Sequence, residues 1–184
     1  MTSTFSNLLT RRSLIGAALS GPGLFLLSAC STTVVLAPAE QGATTDMSSA
    51  ALPMVNRIRA RRSLSPLKVA PVVVAAAEDQ AVRMSRHGKM SHFLGDDKSF
   101  FARMKRQDVP MPAAENIAAG QQTVEAAISA WEHSPHHLEN MLGRYDSVGV
   151  VVARNAGTGN VPYWAMVLCN ASRPSMPGAP TMFL

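Results

Sequence analysis

The sequence predicts an α+β fold, a three-layer α-β-α sandwich around a short, mainly antiparallel central sheet. Three observations point to it. Ser147–Ala153 (SVGVVVA) is apolar on both alternations, as a central strand covered on both faces reads. Residues 155–160 are turn-rich and lead into a second apolar run at 161–168, so the two runs form a hairpin. Helical segments flank the strands and supply the outer layers.

The domain is expected to begin near Met47. Ala51, Met54, Val55 and Ile58 recur at helical spacing and place a first helix over 48–62. Pro53 fits only its first turn, so the regular part is expected to start there. Residues 63–67 (SLSPL) read as a linker with a proline stop. Pro71 suits a first helical position, and Val73, Ala77, Ala81 and Met84 mark one face of a helix over 71–87. The valines at 72–74 could also open a strand, but the alanines and charges after them favour helix. Gly88 stops it. His92 and Phe93 follow in a loop, and a short helix starting within 96–99 carries Phe100, Phe101 and Met104. Residues 107–112 are irregular. Residues 113–119 form a short strand around Glu115-Asn116-Ile117, ended by Gly120. Thr123 caps the next helix, whose core face is Val124, Ala127, Ile128 and Trp131. Pro135 ends it, and 136–142 form one more helical segment. The prolines after Asn170 mark an irregular tail over 171–184.

The first 30 residues stand apart from the domain. Arg11-Arg12 opens a positive segment, residues 15–27 are apolar and Gly-interrupted, and Leu27-Ser28-Ala29-Cys30 follows. The apolar run is too short to span a membrane, so 1–30 reads as a signal peptide. Small residues before a cysteine resemble the bacterial lipobox, in which Cys30 is acylated and becomes the new N-terminus. The paired arginines suit either an unfolded or a folded export route. Ser31 is not an aspartate, which by the bacterial sorting rule permits transfer to the periplasmic side of the outer membrane. Residues 31–46 are small, polar and aperiodic and suit a flexible tether between lipid and domain.

The formal charge of +5 falls to +3 once Arg11 and Arg12 are removed. Arg57, Arg59, Arg61 and Arg62 are the only basic cluster and read as a solvated helix face. No aromatic residues interleave with them, so no nucleic-acid partner is indicated. The chain has two cysteines, and with Cys30 carrying lipid Cys169 has no partner. At the end of an apolar run, Cys169 reads as a small buried hydrophobe.

The polar residues gather between 92 and 140. His92, Glu115 and His137 could form one site. Two imidazoles and a carboxylate can hold zinc or another divalent ion, or act as acid and base without one. The alternative is three unrelated residues. No HExxH-type spacing links them, and no Gly-x-Ser-x-Gly elbow surrounds Ser134. Glu132, His133 and His136 read as a solvated side.

Several motifs together carry a resemblance: Asn56-x-x-Arg59, Ser91-His92-Phe93, Glu115-Asn116-Ile117-Ala118, Trp131-x-x-Ser134-Pro135-x-His137-x-x-Asn140 and Tyr163-Trp164. Over about residues 50–169 the chain resembles the bacterial branch of the CAP superfamily, which groups cysteine-rich secretory, antigen 5 and pathogenesis-related class 1 proteins. The resemblance implies the same sandwich with a central cleft, lined in the family by two His and two Glu that can bind a divalent ion. His92, Glu115 and His137 fall on three of those positions, and Ser134 occupies the fourth. The branch's usual Ser-Pro-Gly-His-Arg and Tyr-Trp-Thr-Gln become Ser134-Pro135-His136-His137-Leu138 and Tyr163-Trp164-Ala165-Met166. Loss of the Arg and Gln suggests a more apolar pocket suited to a lipid-like ligand. The resemblance therefore implies a lipid-anchored envelope protein that binds a small ligand, an ion or a partner in its cleft. A metal-dependent hydrolase of peptide or cell-wall material, or a structural envelope domain, are the alternatives.

Overall fold

A computed structural model describes residues 43–96 and 99–172. The signal segment, Cys30, residues 31–42 of the expected tether and the tail from 173 lie outside the described residues. In chain order the elements are β1 (Thr44–Asp46), α1 (Ser48–Ala60), β2 (Lys68–Val69), α2 (Pro71–His87), α3 (Phe100–Arg106), β3 (Ala113–Ala119), α4 (Val124–Glu132), α5 (Pro135–Met141), β4 (Ser147–Ala153) and β5 (Tyr163–Cys169). A 3-10 turn at Ala156–Thr158 lies within the β4–β5 connection. Among the described residues no helix is long and apolar enough to cross a membrane.

The sheet runs β1-β4-β5-β3, with β2 beside β1 along the same flank of β4. The β1–β4, β4–β5 and β5–β3 pairs are antiparallel and the short β2–β4 pair is parallel. Every residue of β4 and β5 is buried, because both faces are covered. Val148, Val150, Val152, Trp164, Met166 and Leu168 point to one layer, where they pack with α1, α4 and α5. Val151, Ala153, Tyr163, Ala165, Val167 and Cys169 point to the other, against α2 and α3. The period of two along each strand thus feeds two separate cores, and the α-β-α sandwich follows.

Gly149 faces α2. A Cβ there would lie 2.5 Å from the backbone of Val73 and Val74, so glycine lets the helix lie directly on the strand. At the far end of α2, Gly88 adopts φ 60° and its N–H closes on the Met84 carbonyl, a left-handed helix cap. The Thr158 hydroxyl donates to the Ser85 carbonyl at 2.6 Å and ties that cap to the 3-10 turn.

Two boundaries differ from the sequence expectation. The chain joins the sheet at Thr44, ahead of Met47, so the last residues of the expected tether belong to the domain. Helix α1 starts at Ser48 and carries Pro53 in its interior. Local bonds explain the early start. Asp46 Oδ1 accepts from the Ser48 N–H at 2.8 Å, and the Met47 N–H donates to the Val150 carbonyl. The buried Ser48 hydroxyl donates to the Val150 carbonyl and accepts from the Val150 N–H. These contacts nucleate a turn that proline alone would not place, while Pro53 itself sits on the exposed face.

The arginine cluster divides. Arg57, Arg61 and Arg62 are exposed, but Arg59 is only 2% exposed. Its guanidinium donates to the carbonyls of Ser65, Met141 and Gly143 at 2.8–2.9 Å, and burial holds its pKa below the ordinary value. It clamps the chain after α1 to the chain after α5. Asn56 adds a two-way bond to the Leu67 backbone.

Candidate functional site

The site is built on β3, the end strand opposite β1. Its residues alternate between the two layers. Glu115 points into the layer of α2 and α3, Asn116 into that of α5. Glu115 and Asn116 are both buried.

On the first side, Arg103 of α3 forks onto the Glu115 carboxylate. Nη1 donates to Oε2 and Nη2 to Oε1, each at 2.9 Å. Arg103 is fully buried, and its guanidinium also lies 5.7 Å from the centroid of the Phe100 ring. His92, in the loop after α2, brings Nδ1 to within 2.8 Å of Glu115 Oε1. Both carboxylate oxygens already accept from Arg103, so the ring nitrogen is the donor. The neutral imidazole is therefore the Nδ1–H tautomer, with Nε2 left as an acceptor. The His92 side chain keeps 39% of its exposure, and the Phe93 ring packs edge-on against it, 68% exposed.

On the other side, Asn116 Nδ2 donates to the His137 carbonyl at 2.9 Å. Asn140 Nδ2 donates to Asn116 Oδ1 at 2.8 Å and reaches the Glu115 carbonyl. Trp131 Nε1 donates to the Ile117 carbonyl. Side chains of α4 and α5 thus satisfy carbonyls of β3 that β5 does not reach, and the same bonds seat His137. The half-buried His137 is held below its ordinary pKa of 6.5, first by burial and then by the charges of His92 and His136. His92 and His137 are thus close enough to feel each other. Ser134 is the N-cap of α5, although its hydroxyl caps no backbone N–H. Pro135 follows at the first helical position and starts α5.

Glu115 and His92 therefore meet at β3, with His137 within electrostatic reach of His92, and the three do not form a metal site as they stand. Among the described residues no group of three His, Cys, Asp or Glu side chains is placed to hold a metal ion. The local pairing adds to this. Arg103 takes both oxygens of Glu115, and His92 spends Nδ1 on the same carboxylate. As paired here, the Glu115 carboxylate and His92 Nδ1 are not free to ligate zinc.

The apolar-pocket argument also changes. Leu138 packs against the α1/α4/α5 core and lines a small crevice with Ile58 and Leu142. Met166 is buried in that same core, the layer opposite the one Glu115 faces. The substitutions at 138 and 166 repack that layer and leave the polar wall at His92 and Glu115 intact. Of the residues read as a solvated side, His133 and His136 are exposed, and Glu132 pairs with Arg61 across the α1–α4 groove.

Arg103 is the functional residue that sequence reasoning missed. Its signal was a cation beside Met104, three positions from Phe100, on the inward face of a short helix. A buried arginine needs a carboxylate or several carbonyls. Cys169 is fully buried, as expected, and burial, with Asp146 nearby, pushes its thiol up to about 11.

The α-β-α sandwich defines a class of domain, and the comparisons agree with that fold. The family model described as the cysteine-rich secretory protein family, CAP, matches residues 52–170. The chain belongs to that family. Among solved structures it is similar to an outer surface protein from Borrelia burgdorferi, at 18% identity and TM-score 0.62, over 71% of this chain and 98% of that one. It is also similar to an extracellular protein containing an SCP domain from Bacillus anthracis, at 22% identity and TM-score 0.58, over 66% of this chain and 39% of that one. A cysteine-rich secretory protein from Staphylococcus aureus aligns at 19% identity and TM-score 0.51, over 65% of this chain and 37% of that one. At these identities the likeness is one of fold. The chain spans well under half the length of the Bacillus and Staphylococcus proteins. No curated protein matches it.

Proposed function

We propose that the chain is an exported, lipid-anchored envelope domain that binds a small amphipathic ligand at the β3 cleft without turning it over. One observation carries this reading. The His92 imidazole is oriented by a buried carboxylate through Nδ1, keeps Nε2 as an acceptor, and stands beside an exposed aromatic ring. A ligand with a hydrogen-bond donor next to an apolar segment meets both at once. The Glu115 carboxylate and His92 Nδ1 are already paired, so they do not supply the free metal ligands that the hydrolase alternative needs. The signal-like residues 1–30 and the lipobox at Cys30 support export and anchoring. The structural relatives include an extracellular, an outer surface and a secretory protein, which is in keeping with that.

The test is extraction and mass spectrometry of small molecules that co-purify with the protein from bacterial envelopes. Wild type is expected to carry a ligand that His92→Ala and Phe93→Ala both lose. Equal loads on all three proteins would overturn the reading. For the anchor, Cys30→Ser is expected to move the protein from the membrane to the soluble fraction, and unchanged membrane association would count against lipid attachment.

A further inference from the structure

We propose that Arg103 is the built-in cation of this cleft, holding Glu115 in the place a divalent ion would otherwise take, so that the cleft excludes zinc until Arg103 is removed. The inference relies on the preceding reading only for the location of the cleft. Two imidazoles and a carboxylate are a sufficient donor set for zinc with one open position when all three can turn toward one ion. In this chain the carboxylate is already saturated. The guanidinium fork is fully buried, bidentate, and donates to both oxygens at 2.9 Å. A metal on Glu115 would have to displace a planar, delocalised cation that has no solvent to move into. It would also have to turn His92, whose Nδ1 is bound to Oε1 at 2.8 Å.

The pairing has a second effect. A metal ligand His donates its second nitrogen to an outer carboxylate, which fixes the ring. Here Glu115 does that for His92, and Arg103 fixes Glu115. Arg103 is thus a positioning residue two bonds removed from the exposed Nε2. Among the described residues the buried Arg103 Nε has no hydrogen-bond partner, so the side chain is committed to the carboxylate through its two terminal nitrogens only. A purely structural ion pair would leave metal affinity and the His92 tautomer untouched when altered. A counter-cation would change both.

The experiment is a zinc titration of the purified protein followed by calorimetry and thermal melting, with histidine ring ¹⁵N shifts recorded in parallel. Wild type is expected to show no zinc-dependent rise in Tm at ~100 µM zinc, and a His92 signal of the Nδ1–H tautomer that zinc does not move. Arg103→Met is expected to bind zinc at least tenfold more tightly than wild type, and to lose that binding when His92→Ala or Glu115→Gln is added. Zinc bound to wild type and lost in His92→Ala would overturn the inference. So would a folded Arg103→Met that binds no better than wild type. If Arg103→Met does not fold, the wild-type titration and the His92 tautomer decide alone. A zinc-binding wild type that still carries its small molecule would sink this inference and leave the ligand reading standing.

Discussion

Glu115 and Arg103 depend on each other more than on anything else in the domain. Removing one partner of a buried pair leaves the other charge without compensation, at a cost of about 3–5 kcal/mol. Arg103→Met should therefore lower the urea midpoint sharply, and Glu115→Gln should do the same. The double variant Arg103→Met/Glu115→Gln should recover much of that loss, and equal additive losses would show that the two are not coupled. His137 sets a pH dependence. In the unfolded chain it takes up a proton near its ordinary 6.5, whereas the folded imidazole resists until lower pH. The unfolded state binds more protons in that window, so stability should fall as pH drops through 6.5 and level off below the folded value. Urea melts between pH 7.5 and 5 should show the fall, and His137→Gln should flatten it. Cys169, with its thiol near 11 and its side chain buried, should resist alkylation at pH 8 until denaturant is added. Rapid labelling of the native protein would contradict that burial.

At the scale of elements, the helix–strand contact at Gly149 leaves no room for a side chain. Gly149→Ala would drive a Cβ into the α2 backbone, which cannot shift as a side-chain tip can. A loss of about 1–3 kcal/mol in chemical denaturation is expected. Most elements were legible in the sequence for reasons that are local. Pro71 and Gly88 bracket α2, Thr123 caps α4 at its side chain, and the unbroken apolar runs of β4 and β5 announce burial on both faces. What could not be read was long-range. Strands β1 and β2, of three and two residues, carry no periodicity and exist only because β4 lies beside them. Helix α1 begins early because Ser48 reaches a residue 102 positions away. Arg59 stands in a motif but shares its charge with exposed neighbours, and only the distant carbonyls of Met141 and Gly143 make it a clamp.

For the whole molecule, the candidate site was partly legible. Glu115, Asn116 and the Ser134–Asn140 stretch stand in motifs, so their meeting at one end of the sheet could be anticipated from the family resemblance. Arg103 lies in no such motif, and its partner is twelve positions away in sequence. The site consequently looked like a metal centre when read from ligand types alone. The two cores lie on opposite faces of one sheet, and the cleft draws on both. Damage to either layer should therefore reach it. Truncation of Trp131, which fills one core and bonds the Ile117 carbonyl, should shift the His92 ring signals as well as lower stability by about 3–5 kcal/mol.

The flank of β4 away from β5 is closed by three unrelated pieces: β2 at Ser147 and Val148, the Met47–Ser48 backbone and hydroxyl at Val150, and β1 at Val151 to Ala153. A protein cut to begin at Met47 would strip the last of these and bare a valine-rich row of open amide groups. Such a row is a template on which a second molecule can dock its own strand. That shortened chain should self-associate in light scattering where one beginning at Ala43 stays monodisperse, which makes the few residues before the first helix a guard against self-assembly.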